Sequence, residues 1–530
     1  MLPTRAAVAS RSFTFACVTA IVLGTGSACL AQVSGGTISG SVRDSSERGI
    51  AGAHVSIRNA ETAILRSVTT DNDGIYTAPN LVAGTYQVSA SKEGFATLVR
   101  SGVLATVGSE EVIDFKLKPG EVRTKIEVSD TPPAIQLASS TLEATENSTT
   151  VRELPLNGRD WTTLAQLQGG VTGVYQYPLA LSNQRANRGL GAQLSIGGMR
   201  PQGNNYRLDG ISINDYSNGG PGSVLGVLLG VEAIQEFSVV TNSAPASYGR
   251  TSGGVINSIT RSGTNELHGS AYEFLRNSAL DARNFFDRTS SPPPFRRNQF
   301  GADAGGPMVK SKLFVFGDYE GIRQLLSTTT VDIVPSAAAR TGNLTTGTVR
   351  VDPSVEPYLA LYPLPNGPVE GDTGNFTLAT PQNTNEDFFT ARSDFTIGNS
   401  DSLFGTYMLD DGKSEGPDSF NNNIIGTLSR RQAAVLEETH LFGAQMANTA
   451  RLGFSRVVSQ AAKSLKATNP VAANTALGFL PGQPVGLITN SQLSSFPGGF
   501  GAVGEFDFHY NSYQFYDDAF ATLATHSLKF

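Results

Sequence analysis

The stretch Asp387 to Asp410 reads DFFTARSDFTIGNSDSLFGTYMLD. Its first half alternates. Phe389, Ala391, Phe395 and Ile397 fall on one face, and Thr390, Arg392, Asp394 and Thr396 on the other, the period of a strand whose two sides meet different surroundings. Gly398 to Asp401 supply a tight turn, and a second strand starts at Ser402. Comparable segments flank this hairpin: Leu267 to Leu275, Gln299 to Gly306, Lys312 to Glu320, Gln432 to Phe442, Asn448 to Val457, Asn511 to Thr522 and a start at Ser527. In one of them Ala450, Leu452 and Phe454 oppose Thr449, Arg451, Gly453 and Ser455. The connections alternate in length. Those at Pro307 to Ser311, Gly398 to Asp401 and Gly443 to Ala447 are short, and those between them are long. Strict parity of short turns and long loops is the signature of an outer-membrane barrel wall. The proline-rich run Gly321 to Glu386 is then expected as a surface loop outside the cell, and Arg392 and Asp394 as wall charges solvated by the lumen.

The rest of the composition agrees. The chain has 530 residues with 57 Gly, 28 Phe and 15 Tyr but only 16% charged residues, which suits turn-rich β-structure in several units. A net charge of −7 and a pI near 5.4 offer no basic excess for phosphate contacts, so nucleic acid is not an expected partner. After the first residues, the longest apolar run, Val224 to Ile234, is interrupted by Glu232 and is too short to cross a bilayer as a helix. Passage through a membrane therefore requires a closed barrel, because only helices and barrels satisfy every backbone group in lipid.

The chain opens with Arg5 and Arg11 ahead of an apolar run from Phe13 to Leu23 and small residues up to Ala31. This is the pattern of an export signal occupying residues 1 to 31. Both cysteines, Cys17 and Cys29, lie within it, so the mature chain has no thiol for disulfides, Cys-based zinc sites or nucleophilic catalysis. A lipoprotein signal acylated at Cys29 is disfavoured by Gly26, where such signals carry Leu.

From Gly36 to Pro119, short alternating strands are broken by turn residues, as in a seven-stranded sandwich. The segments Gly40 to Asp44, Gly52 to Val55, Thr70 to Tyr76, Leu81 to Tyr86 and Gly94-Phe95 resemble the carboxypeptidase-regulatory-like domain, which implies an Ig-like, carbohydrate-binding-like β-sandwich without peptidase activity. Asp73-Gly74 reads as a hairpin turn rather than a calcium loop. The five histidines show no zinc-protease spacing.

Beyond a polar linker, Val151 to Val171 reads VRELPLNGRDWTTLAQLQGGV. Asn157 is expected to cap a helix that places Trp161, Leu164 and Leu167 on one face and ends at Gly169-Gly170. Together with SIGGMRPQGNNYRLDGISIND (195 to 215) and ASYGRTSGGVINSITRSGTNELHG (246 to 269), this tract resembles the plug of TonB-dependent receptors, in the subgroup that carries a carboxypeptidase-regulatory-like domain in front. The resemblance implies an α+β plug over residues 124 to 265 that gates ligand passage through a barrel. Its candidate gating motif is Arg200, Asn204, Asn205, Asp209 and Gly210. Where the family often reads I-R-G, this chain has Ile196-Gly197-Gly198, with the nearest arginine at Arg200. The family also carries a segment that TonB captures as an added strand. The candidate is Thr124, Lys125, Ile126, Glu127, Val128 and Ser129, with a plain linker strand as the alternative.

The expected architecture is therefore mainly β: signal peptide (1 to 31), sandwich (36 to 119), plug (124 to 265) and part of an antiparallel transmembrane β-barrel (266 to 530). The strands counted fall well short of the about 22 that plugged transporters use, so an incomplete wall is expected. The resemblance implies an outer-membrane importer, energised by the TonB complex of the inner membrane, for a small ligand such as a siderophore, saccharide or peptide. The alternative is a glycan-binding surface receptor or adhesin anchored by the barrel. No G-x-S-x-G elbow or metal cluster argues for an enzyme, and no cofactor is implied.

Overall fold

The structure is a computed structural model. It describes residues 35–530 except 121–124, 129–141, 155, 175–190, 192, 229, 245–247, 250, 284–290, 399, 444–445, 497–505 and 524–525. The export-signal reading of residues 1 to 31 lies outside the described residues.

The first body is a sandwich of two sheets. One has the order β3-β2-β5-β6, from Leu65–Thr69, His54–Asn59, Gly84–Ser91 and Thr97–Ala105. The other has β4 (Ile75–Leu81), β1 (Gly36–Arg43) and β7 (Glu110–Val112), with β8 (Phe115–Lys116) also pairing β1. The sheets thus hold eight strands between Gly36 and Lys116, one more than the turn spacing suggests. Inward positions of the alternating strands, Ile38, Val42, Val55, Ile57, Val88 and Phe115 among them, form a closed core of their own. The buried Tyr76 hydroxyl donates to Ile113 O at 2.7 Å. Asp71 accepts from the Asp73 and Ile75 amides, closing the hairpin at Gly74. A ninth strand, β9 (Lys125–Val128), joins the edge of the first sheet, parallel to β6.

The second body is the plug. Its sheet has the order β10-β15-β16-β13-β14, built from Leu142–Asn147, Ile234–Asn242, Val255–Thr260, Asn205–Leu208 and Ile211–Ser212. A small hairpin, β11 (Val171–Val174) with β12 (Gln193–Ile196), lies beside it. The helix expected between the Asn157 cap and Gly169-Gly170 is instead two 3-10 turns, at Asn157–Arg159 and Trp161–Leu167, preceded by an α-turn at Ser148–Glu153 capped by Asn147. Gly158 has φ 77°, which breaks the run. Asp160 rather than Asn157 caps the last turn, accepting from the Thr162 amide. Trp161 and Leu164 are buried, whereas Leu167, the last residue of the turn, is exposed. Trp161 packs edge-on to Phe237, ring centroids 5.1 Å apart.

The third body is an antiparallel wall in strict chain order. It runs β17 (His268–Asn277), β18 (Phe295–Val309), β19 (Leu313–Pro335), β23 (Thr373–Ile397), β24 (Asp401–Pro417), β25 (Asn423–Leu441), β26 (Met446–Ala467), β29 (Phe506–Leu523) and β30 (His526–Lys529). All nine strands expected from alternation are present. Their apolar face points away from the plug: Val315, Tyr319, Phe389, Tyr407, Leu436, Leu452 and Phe515 are all exposed, as a lipid-facing surface requires. The opposite face, with Thr390, Arg392, Thr406 and Arg451, is buried against the plug.

The strands are much longer than the alternation shows. β19 has 23 residues and β23 has 25, against the 9 to 11 or so that cross a bilayer. The reading of Gly321 to Glu386 as one loop is therefore corrected: Gly321 to Pro335 pair with Thr373 to Asp387 in continuous register. Only residues 336–372 connect them, with the short pairs β20 (Asn343–Leu344) and β21 (Gly347–Thr348), and β22 (Val369–Glu370) on β23. The long connections also form a small core of their own: Val334, Leu361, Tyr362, Phe420, Ala472, Val485 and Phe496, including residues beside and within β27 (Ile488–Asn490) and β28 (Leu493–Phe496).

Candidate functional site

Within the plug, Leu208 and Ile211 pair across a two-residue turn, Asp209-Gly210. Both turn residues have positive φ, 46° and 82°, the combination a type I′ hairpin turn requires and Asp-Gly supplies. The turn projects the tip of the hairpin at the wall. Asp209 is 1% exposed. Its Oδ1 accepts from the Thr260 amide at 2.9 Å and its Oδ2 from the Thr260 hydroxyl at 2.7 Å. The Arg392 guanidinium of β23 completes the set at 3.3 Å from Oδ1. Arg392 also holds Asp394 at 2.8 Å and donates to Thr260 O at 3.0 Å, with its flat face 4.4 Å from the Phe404 ring.

Gly210 lies under a second arginine. A Cβ there would come 2.6 Å from the Arg451 guanidinium carbon. Arg451 of β26 is fully buried and donates to Glu437 at 2.6 Å. A third, Arg207 of the plug, donates to Gly210 O and lies near the rings of Tyr248 and Tyr516. Burial pushes the Arg207 guanidinium down to about 10. At neutral pH it stays charged.

The free edge of β14 is closed by one side chain of the wall. Gln514 accepts from the Ser212 amide and donates to Ser212 O, both at 2.8 Å, so a carboxamide makes the two bonds a neighbouring strand would make. A second seam lies along residues 222–232. Ser223 donates to Glu386 at 2.7 Å, Gly230 N to Glu320 at 2.9 Å, and Arg159 pairs Glu320 at 3.6 Å. Gly230 has φ 89°, and a Cβ there would strike the Phe388 ring at 2.4 Å.

Four of the five expected gating residues belong to this arrangement. Asn204 is fully buried, donating to Leu194 O at 2.6 Å and accepting from Gly254 N at 3.0 Å, which ties three plug segments together. Asn205 donates its amide to Gly254 O at 3.0 Å. Arg200 is exposed ahead of the turn Pro201–Gly203 and is not part of the cluster. The expectation of solvated lumen charges is corrected: Arg392 is 4% exposed and bound to the plug, and Asp394 accepts from Ser262 of the plug at 2.7 Å. The plug seated on the wall supplies their partners. Arg451, Glu437 and Gln514 were not singled out by the sequence. Their only signal is their place on the polar face of alternating strands. Of the candidate TonB-contact strand, Lys125 to Val128 lie in β9, while Thr124 and Ser129 lie outside the described residues.

The wall also brings Asp401, Glu438 and His440 together, His440 Nδ1 lying 2.6 Å from Asp401. They come from two strands, so no sequence spacing reveals them.

A family model of an outer membrane beta barrel domain matches residues 259–530, one of the TonB-dependent receptor plug domain matches 140–255, and one of the carboxypeptidase regulatory-like domain matches 37–118. The chain belongs to the TonB-dependent receptors. As an outer-membrane barrel protein of this family, it resides in the cell outer membrane. Among relatives of this receptor, the TonB-dependent transporter Oar of Myxococcus xanthus is 29% identical over 301 residues, covering 56% of this chain and 27% of that protein. The probable TonB-dependent siderophore receptor PirA of Acinetobacter baumannii is 34% identical over 142 residues, covering 25% of this chain and 17% of that protein. The receptor thus spans about a quarter or less of the curated relatives it matches. The solved outer membrane transporter YddB from Escherichia coli aligns with 12% identity over 72% of this chain and 45% of that chain, at a TM-score of 0.46.

Proposed function

We propose that the receptor binds a small ligand at the cell surface and imports it through the plugged barrel when TonB draws on the plug, without covalent chemistry. The observation that carries this reading is the hairpin Asp209-Gly210 held by Arg392 and Arg451. A plug joined to its wall by charged and hydrogen-bonded contacts beside shared apolar packing, with no covalent bond among the described residues, can be released and reseated as a unit. The candidate contact for TonB is Thr124 to Ser129, and the ligand is a siderophore, saccharide or peptide. The position of the sandwich favours import over surface adhesion. Asn80 hydrogen-bonds Thr439 and Thr449, and Asn265 hydrogen-bonds Thr62 O and Ser311, all near the short turns and away from the long loops.

The test is uptake of labelled ferric siderophores, oligosaccharides and peptides by cells with and without the receptor and TonB. Uptake that needs both supports the reading. Adhesion to glycans that persists without TonB, with no uptake of any probe, would overturn it.

A further inference from the structure

The sandwich holds the very segment through which TonB is proposed to act. β9 lies parallel to β6 with Thr97 opposite Lys125, Leu98 opposite Ile126, Val99 opposite Glu127 and Arg100 opposite Val128. It is the last strand of its sheet, so among the described residues its far edge pairs with nothing. A strand has two edges, and here only one is taken. We propose that the sandwich presents Lys125 to Val128 to TonB as a ready-made edge strand, and that TonB adds a strand to the open side of β9 while β6 keeps its hold.

Two physical points carry this. A free peptide must lose backbone freedom before it can pair as a strand, and a segment already held extended has lost it beforehand, which strengthens capture without any new contact. An open edge also accepts a partner strand with no bond broken, whereas displacement would first break the β6 ladder.

The body that presents the strand is itself tied to the plug. β6 ends at Ala105, and two residues later the Val107 amide donates to Glu236 of plug strand β15. Ala83 and Val107 of the sandwich pack with Ile259 of the plug. A pull on β9 therefore reaches the plug along two routes: through the chain leading to β10, and through the sandwich into β15. Those two strands are neighbours in the plug sheet.

This inference rests on the reading of Thr124 to Ser129 as the TonB contact, and the experiment separates the two. The purified receptor in detergent is titrated with the periplasmic domain of TonB. Val99→Cys with Glu127→Cys places thiols on facing residues of a chain whose two cysteines, Cys17 and Cys29, both lie in the expected export signal and are replaced by Ser for the test. Oxidation is expected to form the bond and to leave the affinity within about threefold of the reduced form, because the open edge is untouched. Failure of the bond to form, or loss of binding on oxidation that reduction restores, overturns the inference. Deleting residues 36–119 is expected to weaken binding about tenfold through lost preorganisation, and unchanged affinity overturns the inference as well. Ile126→Pro tests the underlying reading: binding that survives it places the TonB contact elsewhere, whatever the stapled pair shows.

Discussion

Asp209 of the plug and Arg392 of the wall, 183 residues apart in sequence, meet as a buried ion pair at 3.3 Å. Neither is more than 4% exposed. In such a place the pair adds little net stability, but removing one partner strands the other charge away from water, at about 3 to 5 kcal/mol.

Arg392→Ala is therefore expected to loosen the plug rather than the barrel. Hydrogen exchange should accelerate at the Thr260 amide and along β13, while the amides of β24 and β25 keep their protection. Equal acceleration in the wall would show that the substitution unfolds the barrel instead.

Gly210→Ala and Gly198→Ala make an internally controlled pair. Both glycines have positive φ, 82° and 74°, but only the first has Arg451 in the way, and the second has nothing within 4 Å. The backbone penalty is common to both, about 1 kcal/mol. Gly210→Ala should lower the unfolding midpoint of the plug clearly more than Gly198→Ala, and equal shifts would remove Arg451 from the argument.

Glu236 is 5% exposed, and burial pushes its carboxyl up to about 8, offset in part by the Val107 amide and reinforced by the nearby Glu143. Its pKa when the joint is open is near 4.3. Because the joined state holds the proton more tightly, the joint is most stable below that lower value and weakens as the pH rises from there through about 8. Protease release of the sandwich should accelerate from pH 5 to pH 9. In Glu236→Gln, which cannot ionise, the same series should be flat apart from the protease's own profile.

Gln514→Leu removes both bonds to Ser212, leaving a backbone donor and acceptor at the plug edge without partners, a loss of about 1 to 3 kcal/mol. The Ser212 amide should exchange faster by one to two orders of magnitude, with little change at Thr260. Unaltered exchange at Ser212 would mean that water replaces the carboxamide without penalty.

What the sequence makes legible follows from surroundings. The wall announces itself wherever one face of a strand meets lipid and the other the plug, as at Phe389 and Arg392. Further out, as along Ser327 to Thr330 and Gln382 to Asn385, both faces are polar, so the alternation vanishes although the pairing continues. The Asp209-Gly210 turn is legible because its chemistry is local. Its partners are not, because Arg392, Arg451 and Gln514 reach it only through the closure of strands far along the chain. The single helix is not legible correctly because Gly158, at φ 77°, breaks the run, and Asp160 starts a separate turn at Trp161.

Closing the plug's last strand with a single carboxamide has a mechanical consequence. A strand zipped to a neighbouring strand must be peeled bond by bond or sheared all at once, and it can reseat one notch out of place. A strand met by one side chain has no notches. Once the contacts of Arg392 and Arg451 at the turn are broken, this edge can leave the wall without peeling and return only to the position where Gln514 faces Ser212, which in the proposed gate gives a short stroke and a built-in home position.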